Sequence, residues 1–380
     1  MLIDTLSIIL IAVVVVVAVV SFFANPLFRR IRDAEVAEKA DDDMPKLTVL
    51  VLAGNNAEAL DAHLPIILTQ DYKPGYEVVV VGEQGDQPVE TVLKQYGCTT
   101  NLYATYIPQR SLFMSKSKLA VALGVKAAHN EWIVLVDAAC RPTSDQWLTS
   151  LARHMDSEAN LVMGYINYDD ETKPCRRFDR MRTACYLLHK ASAGTAYRSN
   201  GANIAFRRSE FIENDGYRGN LHLATGEYDF IVNKYARQYS TRVAIEPEAV
   251  VREDVPSSKA WHNTNVFYIH NRQFMQRTAS FRALCAFDTI LMYANYLLAA
   301  LAVTFASITE RWVLLGVAAV VIVATIVGRS MMARSKCRQL GETLSTWSTV
   351  FHELAIVWHR IADNIRYARS DKYDFTTHKL

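Results

Sequence analysis

The stretch IVLVDAACRPTSDQWL, residues 133–148, carries four apolar residues, Ile133 to Val136, into a lone carboxylate, Asp137, and on through Cys140, Arg141 and Pro142 toward a helix. A strand without a polar face is buried on both sides, as in a parallel sheet wrapped by helices. Working back along the chain, LTVLVLAG (47–54), YEVVVVGE (76–83) and NLYATYIP (101–108) are expected strands. Between them NNAEALDAHLPIILTQ (55–70), VETVLKQYG (89–97) and KSKLAVALGVKAAH (116–129) have helical character, the first with Asn56 as N-cap and Glu58 in its first turn. The order β-α-β-α-β-α-β predicts an α/β fold with a mostly parallel sheet. Ligands of such sheets bind outside the carboxyl ends of the strands, where Asp137, Gly54–Asn55 and Gly82–Glu83 all stand.

The second half is less regular. NLVMGYINY (160–168), GANIAFRR (201–208) and TRVAIEPEAVV (241–251) are expected strands, and RRFDRMRTACYLLHKASA (176–193) and GEYDFIVNKYARQ (226–238) helices. SKAWHNTNVFYIHNRQFMQRTASF (258–281) mixes aromatic and basic residues, as an interfacial helix would. From Thr343 to Arg369, Trp347, Phe351, Leu354, Trp358, Ile361 and Ile365 recur at spacings of three and four, predicting a helix on a membrane surface or packed on the domain.

Three apolar runs account for much of the 51% hydrophobic content: Leu6 to Phe23, Leu284 to Ala306 and Trp312 to Gly328. At about 1.5 Å per residue the first approximates a hydrocarbon core, and the other two form a helical hairpin. A cleaved signal peptide would carry basic residues before a shorter apolar core; here they follow, in FRRIR (28–32), which favours an uncleaved anchor. The positive-inside rule places the chain after Arg29 in the cytoplasm, and RSMMARSKCR (329–338) returns the tail to the same side. The six cysteines form no CxxC pair, which fits a reducing compartment and argues against a structural zinc site. A net charge of +2 says nothing about nucleic acid, and no basic cluster interleaved with aromatics appears outside the membrane flanks, so no nucleic-acid partner is expected.

The order of these segments resembles glycosyltransferase family 2, in its membrane-anchored bacterial form. The likeness runs over about residues 46–275 and rests on TVLVLAGNNAEALDAHLPIILTQDYKPGYEVVVVGEQGD, KSKLAVALGVKAAHNEWIVLVDAACRP, GANIAFRRSEF and GEYDFIVN. It implies a GT-A domain and direct displacement of a nucleoside diphosphate by an acceptor hydroxyl, with inversion. It also implies Mg²⁺ or Mn²⁺ held by a D-x-D motif and a carboxylate base.

Three departures accompany the resemblance. The second acid of D-x-D is Ala139, leaving Asp137 as the expected metal ligand; Mg²⁺ is often held by one or two carboxylates with substrate phosphates. After the second strand, Glu83 (with Asp86 beyond) stands where the family has paired acids for base and ribose. For the base, Glu227 and Asp229 are both candidates, and both also suit a helix N-terminus. Asn55, Glu83, Lys118, Asp137 and Ala139 are the expected donor-side residues, with Lys116 beside Lys118. Asn200, Gly201 and Asn203 are expected near the acceptor, and Arg272 or Arg277 near the diphosphate, although the Q-x-x-R-W form is absent. His222 neighbours the acidic helix, where a lone histidine is more often a structural residue.

The expected organisation is a transmembrane anchor (1–28), a linker (29–45), a nucleotide-sugar-binding half (46–155), an acceptor-binding half (156–255), an interfacial region (256–283), a transmembrane hairpin (284–328) and an amphipathic cytoplasmic tail (329–380). The expected activity is single transfer from a nucleotide-sugar, a UDP-sugar foremost, to a lipid-linked or polysaccharide acceptor in cell-envelope glycan synthesis. The expected location is the inner membrane, multi-pass, in contact with lipids, with the catalytic domain in the cytoplasm. A catalytically silent relative that binds nucleotide or partner proteins is the alternative.

Overall fold

The computed structural model describes residues 4–32, 43–109 and 115–376, and most of the expected linker lies outside them. It divides into two compact units: residues 1–30 with 277–359, and residues 31–276 with 360–380.

The second unit is built on a seven-stranded sheet. Strand β1 (Leu47–Leu52) lies between β2 (Tyr76–Glu83) and β4 (Trp132–Asp137), parallel to both, and β3 (Leu102–Ile107) pairs parallel outside β2. All six residues of β1 are buried, as are Trp132 to Val136 of β4, because helices cover both faces. Between these strands run α2 (Ala57–Leu68), α3 (Gln87–Gln95) and α4 (Lys116–Ala127). The Asn56 side chain accepts from the Ala59 N–H at 3.2 Å, so the expected N-cap forms. Gly124 of α4 lies against β1, where an added Cβ would come within 2.2 Å of Leu50 Cδ1, so only glycine lets this helix approach so closely.

Beyond β4 the sheet turns antiparallel: β8 (Ile204–Arg207) pairs with β4, then β6 (Leu161–Gly164) with β8, and β9 (Thr241–Ala244) runs parallel to β6. Two stretches expected as single strands each divide between two sheets. NLVMGYINY breaks at Tyr165 into β6 and β7 (Ile166–Tyr168), and TRVAIEPEAVV breaks at a 3-10 turn, Pro247–Ala249, before β10 (Val251–Glu253). β10 then pairs with β7 and with β5 (Cys140–Pro142), making a three-stranded sheet. Tyr165 is the corner: its N–H donates to the Ala244 carbonyl at 3.1 Å and its carbonyl accepts from the Val251 N–H at 3.1 Å. Helices α5 (Trp147–Arg153), α6 (Pro174–Ala193), α7 (Arg208–Glu213), α8 (Glu227–Tyr235) and α9 (Ser258–Asn271) complete this unit's core elements.

Asn203, expected at the acceptor, is instead a fully buried pin at this corner. Its Nδ2 donates to the carbonyls of Tyr165 and Ala249, each at 2.9 Å, and its Oδ1 accepts from the Trp147 indole at 3.0 Å. The backbone there is left-handed, φ 70°, which asparagine tolerates better than most residues. Gly164 leaves room for it, since a Cβ at that position would meet Asn203 Nδ2 at 2.2 Å.

The first unit holds α1 (Thr5–Ala24), α10 (Thr278–Ile308), α11 (Trp312–Gln339) and the start of α12 (Thr349–Arg369). The first three are long and apolar enough to cross a membrane. They pack through small residues, Ala299, Ala302, Ala306 and Ala318, against Val14 and Leu314, which lets the backbones come close. At one end Arg329, 1% exposed, donates to Glu353 at 2.7 and 2.9 Å and to Ser21 Oγ at 3.2 Å. Asn25 Nδ2 donates to the same carboxylate at 2.9 Å, so α12 is fastened to α1 and α11 through one buried ion pair. α12 begins at Thr349, six residues later than the spacing predicts, and Phe351 and Trp358 remain 73% and 66% exposed.

Replacing Asn203 with alanine strands an indole N–H and two carbonyls and leaves a left-handed alanine, at a cost of about 3 kcal/mol. The expected outcome is a clearly lowered unfolding midpoint of the purified protein by thermal melt, whereas Asn200→Ala, half-buried at the surface of the same loop, changes it little.

Candidate active site

Parallel pairing brings the ends of β1, β2 and β4 side by side: Leu52 is in register with both Val81 and Asp137. The chain turns away beyond each end, and Gly54 (φ 55°) makes the first of these turns. A cavity of about 440 Å³ opens over them, lined by Asn55, Glu83, Lys116, Ser117 and Asp137 among others. A second cavity, about 520 Å³, is lined by Asp137, Arg176, Arg198, Glu227, Asp229 and Trp261 with further residues. Asp137, Thr225 and Phe267 line both, so the two spaces meet at the carboxylate that ends β4.

Both oxygens of Asp137 are engaged. Oδ1 accepts from the Ala139 N–H at 3.0 Å and Oδ2 from the Tyr228 hydroxyl at 3.2 Å. Burial lifts the carboxyl to about 6, with the charges of Glu253 and Glu227 pushing the same way and the two hydrogen bonds opposing. Ala139 contributes only backbone: besides that N–H, its carbonyl accepts from Asp254 at 2.9 Å. Opposite Cys140 in the β5–β10 pairing stands Glu253, whose carboxylate is held by the buried Arg180 at 2.7 Å. Arg180 also donates to the Asn200 carbonyl at 3.0 Å and lies 4.1 Å over the Tyr168 ring.

The N-terminus of α4 reaches three places through three successive residues. Lys116 Nζ bonds both Glu83 oxygens, at 2.7 and 2.8 Å, inside the first cavity. Ser117 Oγ donates to Glu227 Oε2 at 3.0 Å. Lys118 turns inward, fully buried, and donates to the carbonyls of Asn220 and Leu223 at 2.8 and 2.9 Å while lying 4.6 Å over the Phe230 ring. Burial lowers its amine to about 8 despite the opposing charges of Glu227 and Asp229. Lys118, expected beside the nucleotide, therefore braces the loop that precedes α8, and the lysine in the cavity is Lys116. Successive helix residues are rotated by about 100°, so Lys116 and Lys118 point to nearly opposite sides of α4, and only the packing of the helix tells which faces inward.

Helix α8 begins after Gly226, whose φ of 95° allows the sharp entry, so Glu227, Tyr228 and Asp229 all fall in its first turn. Asp229 lies 3.4 Å from Arg198, which is itself 4.0 Å over the Tyr268 ring. Burial raises the Asp229 carboxyl to about 6 against the pull of Arg198. Asn200 and Gly201 line the second cavity, as do Tyr228, Arg176 and Trp261, which the sequence reading passed over. Arg176 donates to Ser258 Oγ at 2.7 Å and stacks 5.0 Å over Trp261. Arg272, expected near the diphosphate, lies on a 3-10 turn after α9 and outside the described lining of both cavities, as do His222 and Asn203. Arg277 caps α10 in the other unit.

Among the described residues no group of three His, Cys, Asp or Glu side chains is placed to hold a metal ion. The donor set fits a cation in the sparser manner, one hard carboxylate oxygen at Asp137 beside a space for a phosphate-bearing ligand to complete the coordination.

The mostly parallel sheet thus carries two cavities that meet at a strand-end carboxylate, faced by acids at a helix start. Residues 45–276 match the family described as Glycosyltransferase like family 2. The chain belongs to that family and is a glycosyltransferase. Its structure is similar to the mannosyltransferase PcManGT from Pyrobaculum calidifontis in complex with GDP-Man and Mn²⁺, at 18% identity and a TM-score of 0.53, covering 95% of this chain and 97% of that one. It is also similar to S. aureus TarS 1–349 in complex with UDP-GlcNAc, at 12% identity and a TM-score of 0.44, covering 84% and 89%. No curated protein matches the chain. The first likeness bears out the α/β GT-A fold.

Protonating Asp229 removes the carboxylate partner of Arg198. Because its pKa is raised to about 6, the ion pair is present above that pH and lost below it. Asp137 is raised to about 6 as well, so release of nucleoside diphosphate from a sugar nucleotide is expected to fall as the pH drops through 6. Asp229→Asn is expected to lower release above pH 6 while keeping the part of the fall that Asp137 causes, as a pH–rate profile of both proteins would show.

Proposed function

We propose that the chain is a membrane-anchored, inverting glycosyltransferase that moves a sugar from a nucleotide-sugar, a UDP-sugar foremost, to a lipid-linked or polysaccharide acceptor in cell-envelope glycan synthesis. The observation that carries this reading is the position of Asp137, the one carboxylate shared by the two cavities, with Glu227 on the wall beside it. In this reading the cavity over β1 and β2 takes the nucleotide: Glu83 accepts from a ribose or base donor, Asn55 closes the strand end, and Lys116 turns from Glu83 toward the phosphates. A divalent cation, Mg²⁺ or Mn²⁺, would be held by Asp137 and would neutralise charge on the departing diphosphate. Ala139 adds no side-chain oxygen, so the cation depends on the donor's own phosphates.

Glu227 is the base. One of its oxygens is steadied by Ser117, and the carboxylate faces the acceptor cavity. It takes the proton of the acceptor hydroxyl as that oxygen bonds to the anomeric carbon from the side opposite the diphosphate. The bond from that carbon to the phosphate oxygen breaks with its electrons going to the diphosphate, and the configuration inverts. Asp229, tied to Arg198, shapes the acceptor wall. Trp261, Tyr268 and Tyr168 offer apolar faces and Asn200 and Asn271 offer amides, a mixture suited to a hydroxyl-rich acceptor.

The span of α1 and the hairpin of α10 and α11 would fix the protein in the inner membrane, with basic residues after the first and third spans on the cytoplasmic side. The exposed aromatic residues of α12 would lie at the lipid surface. The functional boundaries then follow the segmentation expected from the sequence, with nucleotide and acceptor halves meeting near residue 155.

Purified protein incubated with a panel of sugar nucleotides and Mn²⁺ is expected to release nucleoside diphosphate. Asp137→Ala and Glu227→Gln should each lower that release by about 100-fold or more. Release unchanged in both variants would remove these roles, and no release from any donor would leave a nucleotide-binding subunit in place of an enzyme.

A further inference from the structure

The unusual feature of the site is what surrounds the single acid. A carboxylate has two oxygens, and on Asp137 the first is committed to the Ala139 N–H at 3.0 Å, which already fixes the orientation of the group. The second, Oδ2, is the one left to meet a ligand, and it accepts from the Tyr228 hydroxyl at 3.2 Å. Tyr228 is not placed there by the strand that carries Asp137. It comes from the first turn of α8, between the two acids Glu227 and Asp229, and its ring is half-buried on the wall of the second cavity.

We propose that Tyr228 sets the cation affinity of this site by competing with the metal for Asp137 Oδ2. The inference rests on the reading of Asp137 as the cation ligand. A hydroxyl donating to a carboxylate oxygen withdraws the electron density that a hard cation needs, and one of the two must yield or share. A phenol has an ordinary pKa of about 10, so at neutral pH it stands here as a proton donor. In a site with a full acidic cluster this competition would matter little. Here Ala139 supplies no second carboxylate and Glu253 is taken up by Arg180, so the loss of one oxygen's availability falls on the whole site. The cation is therefore held weakly until a diphosphate arrives to supply further oxygens, and the phenol is then free to turn its hydrogen bond to the diphosphate.

The test is Mn²⁺ binding by the full-length protein in detergent, read as loss of the free-ion electron paramagnetic resonance signal, with Mn²⁺ alone and with UDP or GDP added. Tyr228→Phe keeps the ring and removes only the hydroxyl. It is expected to tighten Mn²⁺ binding about fivefold without nucleotide, the effect of removing one competing hydrogen bond, and by less with it. Equal or weaker binding by Tyr228→Phe, with Asp137→Asn still abolishing it, would overturn the proposal and make the phenol a support for Asp137. Binding unaffected by Asp137→Asn would instead remove Asp137 as the cation ligand, which is failure of the functional reading. No Mn²⁺ binding by either wild type or Tyr228→Phe, with or without nucleotide, would overturn the proposal as well.

Discussion

The site depends on where β4 loses one of its neighbours. Through Val136 the strand is bonded into the sheet, and at Asp137 it is still in register with Leu52 of β1, but β8 on its other side pairs only as far as Leu135. The chain can therefore leave the sheet, and it crosses within three residues into β5 of the small sheet. A carboxylate at that exit has strand ends on one side and the edge of a second sheet on the other. That is why two cavities share it, and why burial acts on its charge.

The charges around this exit are arranged so that each acid has a separate tether. Glu83 is held by Lys116, Glu227 by Ser117, Asp229 by Arg198 and Glu253 by Arg180. Several carboxylates in one region would repel each other and lose their protons unevenly. Individual tethers keep them apart and give each a fixed direction. Asp137 and Glu227 differ from the other three in being bonded to neutral donors, Asp137 to a backbone N–H and a phenol and Glu227 to the Ser117 hydroxyl.

The sequence pattern made the sheet legible because a parallel sheet leaves a strong mark: apolar strands, amphipathic helices and a carboxylate or glycine at each strand end. β1, β2 and β4 carry that mark, and Asn55, Glu83 and Asp137 fall together in one cavity as strand-end residues must. The acceptor half was less legible. Short strands divided between two sheets resemble single strands in sequence, since the break at Tyr165 is made by hydrogen bonds to Ala244 and Val251 from far along the chain. Asn203 likewise carries no local sign of its three buried partners, and Lys118 differs from Lys116 only in which way it faces when α4 docks.

What the sequence determined by itself was whatever periodicity and covalent order decide: the fold class, the apolar spans, the strand-end acids and the absence of a second acid at Ala139. The tertiary structure decided which groups meet. Tyr228 lies 91 positions from Asp137, and Arg198 lies 31 from Asp229. Such contacts depend on how β4, α6 and α8 are brought together, and the energy that brings them together comes from burying apolar faces elsewhere in the unit. Sequence spacing records that burial for each element but not the partner it will find, so the phenol over Asp137 became visible only in the folded chain.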